Sequence, residues 1–346
     1  GGGGGGSNNN GGNGGNGGNG GNGGNGGNGG NGGTSTGSLF PDQIFYGVFD
    51  ADGKSVFRSM PDGTGEQLFV DLPATIPNAA VSDDGTKYAF FVETDSGGNP
   101  VYNLWVNTSV SLTGAQRLTP SNGSNDYFDF EFSGSIQFSA DGTKIYFTGS
   151  SPSGGFGIFV VNAGGGSLSR IANGEEAYLN LANSKIIATQ VIGGAGEIVS
   201  MNLDGTGQTN LTNNAAEDFM PQWSKDGTQI VFSSDRTNGQ FDILRMTSAG
   251  GSVTSLTTGD MDEYGPSLNN DGDQVAYVIL SGDPDVDFGV YRKPTAGGNA
   301  SQVKQSSAID QRVFWTPEAP PAGFRSRGAP GGFQFGRVMR PRLYGR

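Results

Sequence analysis

A phrase built on an Asp-Gly pair returns along this chain, and no other feature restricts its fold so strongly. The copies read VSDDGTKYAFFVE from Val81, FSADGTKIYFTGS from Phe138, WSKDGTQIVFSSDRTNGQFDILRM from Trp223 and LNNDGDQVAYVIL from Leu268. Asp-Gly makes a tight turn because glycine tolerates positive φ, and the residues that follow are expected to alternate apolar and polar as in a half-buried strand. Each copy is therefore a β-hairpin.

A second phrase follows each first one: GIFVVNAGGGSLSRIA from Gly157, EIVSMNLDGTGQTNLT from Glu197, DILRMTSAGGSVTSLT from Asp242 and GVYRKPTAGGNASQV from Gly289. Two hairpins per unit give four short antiparallel strands, the pattern of a propeller blade. The turn glycines Gly85, Gly142, Gly227 and Gly272 lie 57, 85 and 45 residues apart. The long interval holds one more, degenerate copy, LANSKIIATQVIGGAGEIVSMNLDG from Leu181, which lacks the Asp-Gly. Five blades follow, and the sixth is divided between the chain ends. Residues 43–72 carry the later strands of a blade without its first, while RVFWTPE supplies a strand in which Trp315 takes the place of Trp223. Pairing the two ends would close the ring and remove an exposed sheet edge. The expected fold is all-β: a six-bladed β-propeller over residues 38–319, with low-complexity tails at 1–37 and 320–346.

These phrases resemble the TolB-type β-propeller family, whose repeat runs through an acidic residue, a proline, Trp-Ser-Pro-Asp-Gly, a strand, an Ile-Tyr strand and an Asp-Gly or Gly-Gly turn ending in Leu-Thr. The resemblance implies a periplasmic or secreted protein and, for several members, a protein-binding platform. The same propeller precedes the hydrolase domain of some serine peptidases, and no such domain is recognisable in this sequence.

Composition narrows the chemistry further. The 346 residues include no cysteine and no histidine, which excludes Ser-His-Asp and Cys-His nucleophiles, zinc-thiolate or His-ligated metals, and disulfides. A single GxSxG string, Gly33 to Gly37, stands in the tail away from any strand or helix signal and is not read as a nucleophile elbow. The chain is read as non-catalytic. Its net charge of −13 argues against a nucleic-acid partner, and no run reaches the length of a membrane span. An export signal is also missing from these residues, so an exported protein would appear here in its mature form, with room for a lipid anchor upstream of Gly1.

Aligning the units on Trp223 puts an acid five residues earlier in four consecutive blades: Glu176, Asp218, Glu263 and Asp310. Ile76 and Ser133 hold that place in the other two. The acids would ring one mouth of the central channel. There they could gather a hard cation such as Ca²⁺, greet a basic peptide, or accept backbone N–H groups that lock blade to blade. A second cation candidate is DPDVDFG, where Asp283, Asp285 and Asp287 alternate as in a calcium loop; its glycine comes one place late and no distal glutamate follows, so a solvated loop is the competing reading. Calcium is the one cofactor these patterns could hold.

In the N-terminal tail Asn10, Asn13, Asn16, Asn19, Asn22, Asn25, Asn28 and Asn31 keep a spacing of three. Such a tract is either a flexible tether of roughly 33 Å reach or a threefold extended helix with every Asn on one edge. From Ala319 the chain has no acid and six arginines, among them Arg337, Arg340 and Arg342, which leaves −19 on the remainder. Phe333, Phe335 and Arg337 alternate there as an edge strand would, although a solvated tail fits the composition equally. Two functions are open at this point. One is an extracellular subunit that polymerises through its tails into a filament or surface layer, its partner being itself. The other is a TolB-like binding module, periplasmic or tethered at the surface, whose partner is another protein.

Overall fold

A computed structural model describes residues 40–49, 53–73, 78–82, 84–95, 100–109, 111–119, 135–151, 155–180, 184–280, 289–305 and 309–318. They form twenty-four strands in six four-stranded antiparallel sheets. Blade 1 contains β1 (Phe40–Phe49), β2 (Gly53–Ser59) and β3 (Gln67–Pro73), and blade 2 contains β4 (Asn78–Val81), β5 (Tyr88–Asp95), β6 (Pro100–Asn107) and β7 (Gln116–Arg117). Blade 3 is β8 (Ile136–Phe138), β9 (Lys144–Ser151), β10 (Gly155–Asn162) and β11 (Ser169–Asn173); blade 4 is β12 (Glu175–Asn180), β13 (Lys185–Ile192), β14 (Ala195–Asn202) and β15 (Thr209–Asn210). Blade 5 is β16 (Asp218–Trp223), β17 (Gln229–Ser234), β18 (Asp242–Thr247) and β19 (Thr254–Ser255); blade 6 is β20 (Asp262–Leu268), β21 (Gln274–Leu280), β22 (Gly289–Pro294) and β23 (Ser301–Gln305).

The last strand, β24 (Ile309–Glu318), joins blade 1 in the order β24-β1-β2-β3 and pairs Trp315 with Ile44 as Trp223 pairs with Ile230. The chain is therefore an all-β six-bladed propeller closed by its own ends. Side chains secure the same seam: Ile44 and Tyr46 of blade 1 share a buried cluster with Ala276, Val278, Val290 and Val303 of blade 6, and Lys304 forms an ion pair with Glu66 at 2.6 Å.

The Asp-Gly phrase folds as a self-contained turn. In blade 5 the Asp226 carboxylate accepts the Ser224 hydroxyl at 2.6 Å and the Thr228 N–H at 3.0 Å, and Gly227 sits at φ +68°. Asp84 and Asp141 do the same in blades 2 and 3. Satisfying several turn donors with one carboxylate is the reason for Asp at this place.

The expected half-buried alternation after the turn does not hold. Ile230, Val231, Phe232, Ser233 and Ser234 are all buried. Ile230 and Phe232 enter a cluster with Ile187 and Ile198 of blade 4, whereas Val231 enters one with Val275 and Tyr277 of blade 6. A blade in a ring has a neighbour on each face, so its second strand is apolar on both.

The Leu-Thr that closes a unit also has a physical task. Thr119, Thr212 and Thr257 each accept an N–H from equivalent positions of their blade's third strand, at 3.2, 3.0 and 2.8 Å from Leu104, Ile198 and Ile243. In two blades the same hydroxyl donates to the residue just before that N–H donor in the strand, Asn103 or Glu197. Thr212→Val keeps the shape but orphans the Ile198 amide and takes a donor from the buried Glu197. It should lower stability by about 2 kcal/mol, measured by denaturant titration.

Candidate functional site

The innermost strands of blades 4, 5 and 6 begin at one end of the ring, and the strand pairing shows which residues are equivalent there. Leu179, Trp223 and Leu268 lie opposite Ile186, Ile230 and Val275. The frame of blade 4 thus starts two residues before Leu181, and Gly174, not Glu176, occupies the place of Asp218 and Glu263. The degenerate turn hid this, since Asn180 to Lys185 match Ser224 to Gln229 in number but not in type. Glu176 instead lies in the bulge of its strand, at φ +50°, as Met220 does at +53° and Gly265 at +55°. Two residues there oppose one on the neighbouring strand, which turns the chain toward the adjacent blade.

The acids accordingly do different things. Glu176 accepts the Met220 N–H of blade 5 at 2.6 Å and the Thr189 hydroxyl at 3.0 Å, a bond from blade to blade. Asp218, fully buried, receives Nη2 of Arg236 on both oxygens at 2.8 and 2.7 Å and Nδ2 of Asn214 at 2.6 Å. Arg236 also lies over the Phe232 ring, 5.4 Å from its centroid. Glu263 is 7 % exposed, and burial pushes its carboxyl up to about 7, with the Asp242 charge adding to the rise and the Thr257 hydroxyl opposing it. Asp310 falls in β24, but its side chain lies outside the described residues. Among the described residues no three carboxylates gather closely enough to hold a metal ion. Asp283, Asp285 and Asp287, the eight spaced asparagines, and Phe333, Phe335, Arg337, Arg340 and Arg342 also lie outside the described residues.

Residues that the sequence reading passed over complete this rim. Phe219, Phe241 and Tyr264 form an aromatic triad across blades 5 and 6, with ring centroids 4.7, 5.8 and 5.5 Å apart. Phe219 remains partly exposed. At the same end of the ring Val191 and Ile192, at the tip of the β13–β14 hairpin, are 51 % and 41 % exposed, and Met261, just before β20, is 36 % exposed. The tip sequence VIGGAG signals a turn, but only the ring shows that it projects at the end where the inner strands start.

Residues 182–328 match the family described as the TolB beta propeller domain. Over that stretch the propeller carries the TolB-type repeat. Its architecture is similar to that of TolB from Acinetobacter baumannii, at TM-score 0.60 and 20 % identity over 80 % of this chain and 67 % of that one. A putative TolB from Agrobacterium tumefaciens aligns at TM-score 0.53 and 19 % identity over 80 % and 99 %. A puromycin-hydrolyzing peptidase from Mycobacterium tuberculosis aligns at TM-score 0.52 and 14 % identity, over 75 % of this chain and 44 % of that one. No curated protein sequence matches. At these identities the likeness is one of fold, and among the described residues no helix is long and apolar enough to cross a membrane.

Proposed function

We propose that this TolB-type propeller is a non-catalytic protein-binding module working outside the cytoplasm, and that it receives its partner at the rim of blades 4 to 6. The observation that carries this reading is the presence of exposed apolar side chains, Val191, Ile192 and Met261, at the same end of three adjacent blades as the partly exposed Phe219 and Arg236. Aromatic and apolar anchors with an arginine among them are the composition that protein interfaces favour over the rest of a surface. The buried acids hold the rim in shape beneath them.

Val191→Asp with Ile192→Asp, and separately Met261→Asp, place charge on exposed positions without entering a core. Affinity capture from an extract of the source cells, followed by titration of the identified partner as a purified protein, should show binding weakened at least tenfold by either variant, about 1.4 kcal/mol. Equal binding by wild type and both variants would remove this rim as the docking surface.

A further inference from the structure

The third strands of blades 2, 4 and 5 carry polar residues at equivalent positions, Asn103, Glu197 and Asp242. Asn103 is held by Arg117 at 2.6 Å and Thr119 at 2.9 Å, and Glu197 by Thr212 and by the Asn214 N–H at 2.8 Å. Asp242 departs from the pattern. It is fully buried, and neither of its carboxylate oxygens has a well-formed hydrogen bond. The corresponding hydroxyl, that of Thr257, is engaged by Glu263 from the inner strand of the next blade, whose Oε2 is likewise buried without a donor. Glu263 reaches this place because its own N–H donates to the carbonyl of Phe241, the residue before Asp242, at 2.7 Å.

The Asp242 and Glu263 carboxylates thus both lie in the seam between blades 5 and 6, and three of their oxygens have no well-formed hydrogen bond. We propose that Asp242 and Glu263 form a buried diacid that shares a proton, making the strength of this seam a function of pH. Like charges brought out of water cannot both ionise cheaply, so a proton on the pair relieves their repulsion.

The surroundings offer no substitute. Lys293 of β22 attracts both carboxylates, but neither has an ion-pair partner among the described residues. Tyr277 of β21 feels the Glu263 charge, and Asp262 of β20 accepts the Phe241 N–H. From β16, Asp218 is taken by Arg236. β24, which packs along β20, carries Asp310 and Arg312, whose side chains lie outside the described residues. In keeping with the proposal, burial raises the carboxyls of both residues above their usual range, with the Gly259 N–H, the Thr237 hydroxyl and Lys293 opposing the rise at Asp242.

The sign follows directly. Glu263 binds its proton more tightly folded, at about 7, than unfolded, near 4.5. The contribution is complete below the unfolded value and is lost as pH rises through the folded one. Across that window one proton increases the unfolding constant by up to about tenfold per pH unit.

The test is denaturant unfolding of the full chain between about pH 5 and pH 8, comparing wild type with Glu263→Gln and Asp242→Asn. Both amides are neutral throughout. The expected result is that wild type loses stability relative to the variants as pH rises, with the variant advantage reaching at least tenfold in the unfolding constant at the alkaline end. Parallel curves would overturn the proposal. Full restoration of wild type at alkaline pH by millimolar CaCl₂ or NaCl would overturn it as well, because a cation would then be the neutralising partner. A readout without substitution is the carbon-13 carboxyl resonance of Glu263, whose midpoint should lie near 7. A midpoint in the ordinary glutamate range would refute the shared proton even if both variants failed to fold.

Discussion

Gly205→Ala is expected to destabilise the ring by roughly 3 to 4 kcal/mol, while the same change at Gly193 costs only about 1 to 2 kcal/mol. Both glycines have positive φ, +81° and +68°, so both substitutions carry the strain of an L-residue in the left-handed region. They differ in what a new Cβ meets. At Gly193 nothing lies within 4 Å, whereas at Gly205 the carbonyl oxygen of Ile171 in blade 3 would stand 2.1 Å away. Backbone cannot step aside as a side chain can, so the turn between the third and fourth strands of blade 4 would have to lift off its neighbour. The contact recurs around the ring: Gly250 of blade 5 approaches the Leu211 carbonyl of blade 4, and Gly63 of blade 1 approaches that of Val303 in blade 6, each at 2.6 Å from the Cβ position. Thermal melts of the two alanine variants beside wild type decide the matter. Equal losses would mean that strain alone accounts for the glycines and that these turns do not set the spacing of the blades.

Arg236→Met should cost about 3 kcal/mol or more. The Asp218 carboxylate is wholly buried, and the Arg236 side chain is 24 % exposed, so solvent screens the pair only weakly. Methionine keeps the packing over Phe232 but leaves a buried charge to Asn214 alone. Asp218→Asn combined with Arg236→Met removes both charges and should recover part of the loss, since an apolar or neutral replacement of a whole buried pair is tolerated better than half of it. Denaturant titration of the three proteins measures this. A double variant as unstable as the single one would show that the arginine acts through its other contacts, including its bond to Ser234.

The two variants also separate ring stability from binding. Gly205 belongs to the turn between the third and fourth strands of blade 4 and Ile171 to the fourth strand of blade 3, whereas Arg236 follows β17 at the end where the inner strands begin. A loss of partner binding confined to Arg236→Met, at temperatures where both variants are folded, would support the proposed rim.

Blade number, hairpin turns and the use of RVFWTPE to close the ring were legible because they rest on local chemistry. Asp-Gly with its Ser and Thr neighbours builds the same turn wherever it occurs, and a strand absent at one end and supplied at the other needs no distance to be recognised. The roles of the acids were not legible in that way. Spacing alone set Glu176 beside Asp218 and Glu263, but the pairing of β12 with β13 moved it to a bulge, where it binds the next blade. Burial on both faces of β17, the aromatic triad and the diacid of Asp242 and Glu263 depend on which side chains of adjacent blades meet. The sequence by itself determined that this chain is a closed six-bladed ring, because turns and strand patterns are properties of neighbours along the chain. Only the tertiary structure decided which of its carboxylates are paired and which stand without donors, because charge compensation is settled between residues that neighbouring blades bring together.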